Sequence, residues 1–156
     1  MEPVFKIIPG FKIVGMMYSG RVDTGEIPLL WNRFADKMET VPNRINEHKC
    51  FGIINPFGEN KSKGEIDYVA AVEVENFNDV PDDMISADIP EGEYAIFTHV
   101  GPISNIMNSV KYIYGEWLPN SEYTLTGMPD LEVYDERFKL EAEDSECDIC
   151  LSVKKK

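Results

Sequence analysis

Short runs rich in apolar, β-branched and aromatic residues recur along the 156-residue chain, bounded by glycine, proline and polar residues. Runs of this kind are typical of β-strands. They predict strands at 11–19, 50–55, 66–74, 93–100, 131–134 and 147–153, and an extended segment at 84–89. The polar stretch 59–64 is predicted to be a loop between the second and third strands.

Two longer segments repeat their apolar residues with the period of an α-helix. Over 27–38 the spacing between apolar positions is 3, 1, 3, 1 and 3, and the segment ends before Pro42. A second segment covers 103–117 and stops at Pro119. The aromatic residues on the two apolar faces are Trp31 and Phe34 in the first segment and Tyr114 and Trp117 in the second. They either fill an ordinary core or line a pocket, because Trp and Tyr combine an apolar ring with a polar group.

The order strand, helix, strand, strand occurs twice. Gly20 and Gly101, which each close a first strand, lie 81 residues apart. One unit alone has too small a core to be stable, so the two units must pack together. We therefore predict an α+β fold in a single domain, 1–156, built from duplicated βαββ units at about 5–76 and 84–156 that are related by a pseudo-two-fold axis. We expect two antiparallel sheets side by side, with the two main helices packed over a central ligand pocket.

The charge balance narrows the classes of partner. Fifteen basic and 28 acidic residues give a formal net charge of −13. Such a surface repels phosphate backbones and anionic lipids, which argues against direct nucleic-acid or membrane binding, and it attracts cationic organic compounds. The same charge can equally serve solubility alone. The chain lacks the apolar run of a signal peptide and the ~20 apolar residues of a membrane span, so we expect a cytoplasmic protein.

Sequence motifs for catalysis, metals and cofactors are sparse. Cys147 and Cys150 form a C-x-x-C within a strand-like run, without the second pair or the histidines that a zinc site needs, and we interpret it as structural. His48 and His99 have no sequence neighbour that suggests catalysis. Phosphate-binding loops and nucleophile motifs are absent from the sequence. We therefore assign no catalytic residue, metal or cofactor.

Glu132 is the most informative position in the chain. Strand alternation places Glu132 and Tyr134 on one face. If that face is solvent, nothing follows; if it is the inner face, a buried carboxylate needs a partner, and a cation among aromatic rings is such a partner. Tyr68, in the matching strand of the first unit, either lines the pocket or hydrogen-bonds at a sheet edge. The offset of 81 puts Phe51 opposite Glu132, which predicts a pocket with one charged and one apolar wall.

Several segments resemble the GyrI-like family, whose domain also forms the effector-binding region of multidrug-sensing (AraC-type) activators in bacteria. They are 72–74 (VEV), 89–102 (IPEGEYAIFTHVGP), 114–121 (YGEWLPNS) and 131–135 (LEVYD). The resemblance covers nearly the whole chain and is most specific over 72–138. It implies a duplicated βαββ fold with a shared cavity in which Glu132 meets cationic, aromatic ligands. The candidate ligand-binding residues are Glu132, Trp117, Tyr114, Tyr68, Trp31 and Tyr134.

Three functions follow from these observations. The first is binding of lipophilic, often cationic, drug-like molecules with Glu132 as the charged anchor. The second, which the resemblance implies for some stand-alone members of the family, is hydrolysis of cyclopropane-containing genotoxic compounds, with Glu132 activating water and Tyr114 or Tyr68 donating a proton. The third is a protein-interaction role of the gyrase-inhibitor type.

We expect the binding function, with hydrolysis ranked second because only one strong carboxylate candidate is evident. The family's transcriptional members carry a DNA-binding domain on the same chain, and we find no room for one in these 156 residues. We therefore expect a stand-alone small-molecule binder, with a possible protein partner.

Overall fold

The computed structural model of the protein describes residues 1–58 and 64–156, so the predicted polar loop lies almost wholly outside the described residues. The predicted α+β class is confirmed: a large antiparallel sheet carries two helical segments. The strands are β1 (Val4–Ile8), β2 (Phe11–Arg21), β3 (Cys50–Ile54), β4 (Glu65–Val74), β5 (Ile85–Ile89), β6 (Gly92–Val100), β7 (Tyr123–Leu125), β8 (Asp130–Tyr134) and β9 (Glu146–Lys155).

The first helical segment is α1 (Glu26–Ala35), followed by a 3₁₀ turn (Met38–Thr40). The second is broken into a 3₁₀ turn (Ile103–Asn105), α2 (Ile106–Tyr112), a π-helical turn (Ile113–Trp117) and α3 (Leu118–Asn120). The apolar period of 103–117 predicted one continuous helix here. A π turn changes the backbone hydrogen bonds to i→i+5, and the apolar spacing of this segment does not show that change. None of the helices in the described ranges is long and apolar enough to cross a membrane.

The strands form one continuous sheet rather than two sheets side by side. Their order is β1-β6-β9-β8-β3-β4-β2-β5, all neighbours are antiparallel, and β7 pairs with β9. The order is symmetric about the junction of β3 and β8, where the two units meet through main-chain hydrogen bonds. This pairing of central strands, unit to unit, is what joins the two predicted sheets.

The repeat includes an additional first strand, of which the sequence pattern predicted the second copy, as the extended segment 84–89, but not the first copy, β1. β1 begins at Val4 and β5 at Ile85, 81 residues later, and β4 and β9 keep the same offset with Glu65 and Glu146. Each unit is therefore ββαββ. The first strands are exchanged between the units, because β1 pairs with β6 and β5 pairs with β2.

The central strands depart from the offset by one residue, and this corrects the expected position of Phe51. β3 begins at Cys50 and β8 at Asp130, 80 residues apart. Gly52 is therefore the residue opposite Glu132, while Phe51 lies opposite Val133. A shift of one residue moves a side chain to the other face of a sheet, so Phe51 packs in the cluster behind the sheet, away from the carboxylate.

The two helical segments cover one face of the sheet. Leu30 and Phe34 of α1, which are 1% and 0% exposed, pack on β2 and β4 against residues such as Val72. Ile113 of the second segment, 0% exposed, packs on β6 and β9 with Phe97. The opposite face carries its own apolar cluster, which includes Phe51 and Val133. The space between the two helical segments lies directly over β3 and β8.

The C-x-x-C motif is part of β9 and not the start of a helix. Cys147 and Cys150 are buried and free, and their separation of three places them on opposite faces of the strand. Burial raises the pKa of the Cys147 thiol to about 12, which keeps it protonated and unreactive at neutral pH.

We predict that Phe34→Ala lowers the free energy of unfolding by about 3–5 kcal/mol, because it removes a fully buried ring and leaves a cavity between α1 and the sheet. Urea unfolding followed by circular dichroism measures the change. Leu29→Ala on the same helix is the matched control, since Leu29 is 49% exposed and its truncation should stay within about 0.5 kcal/mol. Equal losses for the two variants would contradict the packing of α1 described above.

Candidate functional site

A carboxylate held by two tyrosines lies between the helical segments. Oε1 of Glu132 accepts a hydrogen bond from the Tyr68 hydroxyl at 2.5 Å and another from the Tyr134 hydroxyl at 2.9 Å. Glu132 and Tyr134 share a face of β8 because they are two residues apart. Tyr68 comes from β4, on the far side of β3, so its ring reaches across one intervening strand.

Gly52 of β3 makes that reach possible. It is buried directly beneath the Tyr68–Glu132 hydrogen bond, opposite Glu132 in the strand register. A Cβ at this position would overlap both the Tyr68 hydroxyl and Oε1 of Glu132. The absence of a side chain is therefore a requirement of the site, and it explains a glycine in the interior of a central strand.

An aromatic group surrounds the carboxylate. Nε1–H of Trp31, on α1, donates a hydrogen bond to the Tyr68 hydroxyl at 2.9 Å, and its ring stands edge-on to Tyr134 at 5.5 Å between centroids. Phe138 packs edge-on against the other side of Tyr134 at 4.9 Å. We refer to Trp31, Tyr68, Glu132, Tyr134 and Phe138 together as the Glu132 cluster.

The carboxylate of Glu132 has no opposite charge beside it among residues 1–58 and 64–156. No Lys, Arg or His of those residues lies within 4.0 Å of it. Oε2, unlike Oε1, receives no hydrogen bond from those residues. Glu132 as a residue is partly exposed.

Burial sets the protonation of the site. It raises the pKa of Glu132, and the two tyrosine hydrogen bonds oppose that rise without cancelling it. Burial, followed by the charge of Glu132, raises the pKa of Tyr68 and Tyr134 well above the usual tyrosine range. Both hydroxyls therefore stay protonated and act as fixed donors, whereas the carboxylate is an acceptor in an environment that disfavours its charge.

The structure brings together four of the six residues that the sequence singled out: Glu132, Tyr68, Trp31 and Tyr134. Tyr114 lies alongside and not within this group, since its hydroxyl donates to Oδ2 of Asp130 at 2.9 Å. Asp130 is two residues before Glu132 on the same face of β8.

Trp117 is separated from Glu132, which corrects its expected place as a wall of the same pocket. It ends the π-helical turn, and its ring packs against Phe97 of β6 at 4.9 Å and Tyr123 of β7 at 6.2 Å. The physical reason is its aromatic packing, which holds the Trp117 ring over β6 and β7.

Sequence reasoning missed Gly52 and Phe138. Gly52 could have been found as a glycine inside a predicted strand, which signals close approach of another group. Phe138 follows β8 in a loop with no period of its own. The loop is held by Arg137, whose guanidinium contacts Asp135 at 2.9 Å and Asp148 of β9 at 2.8 Å, and the pairing with Asp148 has no signal in the sequence.

Two surface cavities lie away from the cluster. One, of about 440 Å³, is lined by residues of β6 and α2 together with Met1. The other, of about 220 Å³, is lined by the second helical segment around Trp117. Neither is lined by Glu132, beside which Trp31 donates a hydrogen bond to Tyr68 and packs its ring edge-on against Tyr134.

Comparison with known proteins gives a consistent picture. A family model described as a GyrI-like small molecule binding domain matches residues 1–154. The transcriptional regulator BrlR of Pseudomonas aeruginosa is 32% identical over 131 residues, which cover 84% of this chain and 47% of the regulator. The chain thus spans about half the length of the curated relative it matches.

Two solved structures share the fold. SAV2435, determined bound to tetraphenylphosphonium, has a TM-score of 0.80 at 17% identity, with 99% of this chain and 94% of that chain covered. The C-terminal domain of EcmrR has a TM-score of 0.73 at 20% identity, with 99% and 98% covered. Identities this low establish similarity of fold alone.

We predict that Gly52→Ala destabilises the protein by about 1–3 kcal/mol, because the added methyl group forces Tyr68 and Glu132 apart. Urea unfolding measures the loss. Gly115→Ala is the control, since a Cβ there meets nothing within 4 Å and should be neutral or slightly stabilising in a helical turn. A Gly52→Ala protein as stable as the wild type would contradict the close contact over β3.

We predict that Glu132→Gln raises the Tm at pH 7. Because the folded-state pKa of Glu132 is raised, its stabilising contribution is complete only below the ordinary glutamate pKa and is lost as the pH rises through the folded-state pKa. Glutamine keeps the acceptor oxygen and removes the charge. The gain in Tm, ~2–4 °C for each kcal/mol recovered, should shrink as the pH falls toward and below the ordinary glutamate range.

Glu136→Gln is the matched control for this experiment, because Glu136 is exposed four residues further along. Its Tm should follow that of the wild type at each pH in differential scanning calorimetry. A Glu132→Gln protein that is less stable than the wild type at pH 7 would show that the carboxylate is not a desolvated charge.

Proposed function

The chain belongs to the GyrI-like small molecule binding domain family, and from that premise we propose that residues 1–156 form one domain that binds lipophilic cations with aromatic rings at the Glu132 cluster. The observation that carries the proposal is the carboxylate of Glu132, which lies among aromatic rings with no cation beside it in the described part of the chain. A desolvated charge of this kind is costly without a partner, and a bound cation supplies one.

The geometry of the acceptor supports a cation rather than a neutral ligand. Both tyrosines donate to Oε1, which leaves Oε2 without a hydrogen bond from the described residues. An ammonium, phosphonium or iminium group placed there gains attraction to the carboxylate and to the faces of Trp31 and the tyrosines. Apolar parts of the ligand add about 25 cal/mol for each Å² of surface removed from water.

The same arrangement favours selection by charge over selection by shape. The donors to Glu132 are fixed, whereas the surrounding surfaces are aromatic rings that offer few directional contacts. A cation is accepted across many ring systems, while an anion meets an uncompensated carboxylate and is repelled. SAV2435, which shares the fold, was solved with the aromatic cation tetraphenylphosphonium, and we extend that ligand class to this chain.

Entry of a large ligand requires Trp31 to move. Its indole donates to the Tyr68 hydroxyl and lies against Tyr134, so it occupies the approach to the carboxylate. Trp31 is partly exposed and sits on α1, which makes a change of its rotamer less disruptive than a shift of the buried Phe34 beside it. We therefore assign Trp31 as the residue whose side chain a bound ligand displaces from its position beside Tyr68 and Tyr134.

The wider setting of this activity is part of the proposal. We place the domain in the cytoplasm, where it senses or sequesters its ligand, with a protein partner as a further component. The relationship to BrlR supports a link to transcriptional regulation of the effector-binding kind. Hydrolysis of cyclopropane-containing compounds stays a prediction, and water-added product after incubation with such a compound is its direct test.

We predict saturable quenching of tryptophan fluorescence when tetraphenylphosphonium is added to the wild-type protein. Glu132→Gln should weaken binding at least about tenfold, because a charged contact of this kind contributes about 1.5–3 kcal/mol. Trp31→Phe should remove most of the quenching, whereas Trp117→Phe should keep it, since Trp117 packs in a different aromatic group.

Two controls make the test specific. Glu136→Gln changes the net charge by the same amount at an exposed position and should leave the affinity unchanged. Triphenylphosphine oxide is a neutral compound with similar rings. It should bind the wild type more weakly than the cation does, and its affinity for Glu132→Gln should equal its affinity for the wild type. Unchanged affinity of Glu132→Gln for tetraphenylphosphonium would overturn the proposal.

A further inference from the structure

A second buried polar pair lies on β6 and α2, separated from Glu132 by the intervening strand β9. Nδ1 of His99 is 2.7 Å from Oγ of Ser109, and Nε2 of the same ring is 3.1 Å from the main-chain oxygen of Pro102. His99 and Ser109 are 4% and 8% exposed. The sequence offered no partner for His99, and the fold supplies one ten residues further along.

The carbonyl of Pro102 determines how the pair is protonated. A carbonyl oxygen only accepts, so the proton of the neutral imidazole is on Nε2 and is donated to Pro102. Nδ1 then carries a lone pair, and the Ser109 hydroxyl must donate to it. A serine that donates to an imidazole, which is itself oriented through its other nitrogen, is the arrangement of a nucleophile and its general base.

Comparison of the two repeat units indicates that the His99–Ser109 pair is not needed to form the turn in which it lies. The residue 81 positions before His99 is Tyr18, and its hydroxyl donates at 2.8 Å to the carbonyl of Arg21, which lies 81 positions before Pro102. The first unit therefore closes the same turn with a tyrosine. Pro28 stands there in place of Ser109, so the turn needs neither an imidazole nor a serine.

A cavity gives the pair access to a small molecule. The cavity has a volume of about 440 Å³ and is lined by both His99 and Ser109. Asn105 and Asn108 also line this cavity, and side-chain amides of asparagine are groups that stabilise a developing oxyanion. Met1 and Val100, which are 48% and 61% exposed, give the remainder an apolar character.

We propose that Ser109 and His99 form a second site that hydrolyses small carboxylic esters with short apolar acyl groups. Oγ of Ser109 attacks the ester carbonyl carbon while Nδ1 of His99 takes the hydroxyl proton. The bond to the alkoxy oxygen then breaks, and His99 gives that proton to the departing alcohol. Water attacks the acyl-serine with His99 again as the base, which releases the carboxylic acid and returns the proton to Ser109.

The test is to incubate the wild-type protein with p-nitrophenyl acetate and with a fluorophosphonate probe, and to map any adduct by mass spectrometry of peptides. One adduct per chain, on Ser109, is expected. Ser109→Ala should abolish it, and His99→Gln should slow labelling and p-nitrophenol release by about 100-fold or more, the contribution typical of a general base.

Ser104→Ala is the matched control. Ser104 is an exposed serine of the same helical segment, bonded to Glu141, and its variant should react as the wild type does. No adduct on wild-type Ser109, or an adduct that persists in a folded Ser109→Ala protein, would overturn the proposal. If Ser109→Ala fails to fold, the mapped position of the wild-type adduct decides alone: Ser109 supports the site and any other position overturns it.

Discussion

The fold is organised around one unneutralised negative charge at the junction of its two halves. Glu132 lies where β3 meets β8, and the neighbouring groups accommodate its carboxylate: two tyrosine hydroxyls donate to it and Gly52 clears the space beneath it. These donors lower the cost of burying the charge without cancelling it. The remaining cost is what the proposed binding of cations would recover, since a ligand that supplies positive charge offsets it.

Duplication creates the frame, and divergence between the copies creates a single site. The faces of β3 and β8 that lie under the helices meet in register, with Cys50, Gly52 and Ile54 on one side and Tyr134, Glu132 and Asp130 on the other. A strictly symmetric protein would place two carboxylates or two glycines at this junction. Two carboxylates at that separation would repel each other, and two glycines would provide no charged group. Only the unequal pair of Glu132 and Gly52 produces a site with one carboxylate among aromatic rings.

Local periodicity predicted most of the elements and the duplication, because strand and helix periods are written in consecutive residues. It could not reveal the exchange of β1 and β5, since pairing partners 70 to 92 residues apart leave no local pattern. The change of the repeat offset by one residue between β3 and β8 had the largest effect on the predicted site. It places Gly52, and not Phe51, opposite Glu132. Trp117 was misplaced because the helical period does not reveal its ring partners, Phe97 of β6 and Tyr123 of β7.

The state of the Glu132 carboxylate tests this account most directly. In protein labelled with ¹³C at glutamate side-chain carboxyls, the resonance missing from Glu132→Gln identifies Glu132, and a pH titration then reports its pKa. We predict a pKa above the ordinary glutamate range in the free protein and a clear decrease when tetraphenylphosphonium is bound. An ordinary pKa in the free protein that does not move with the cation would contradict it.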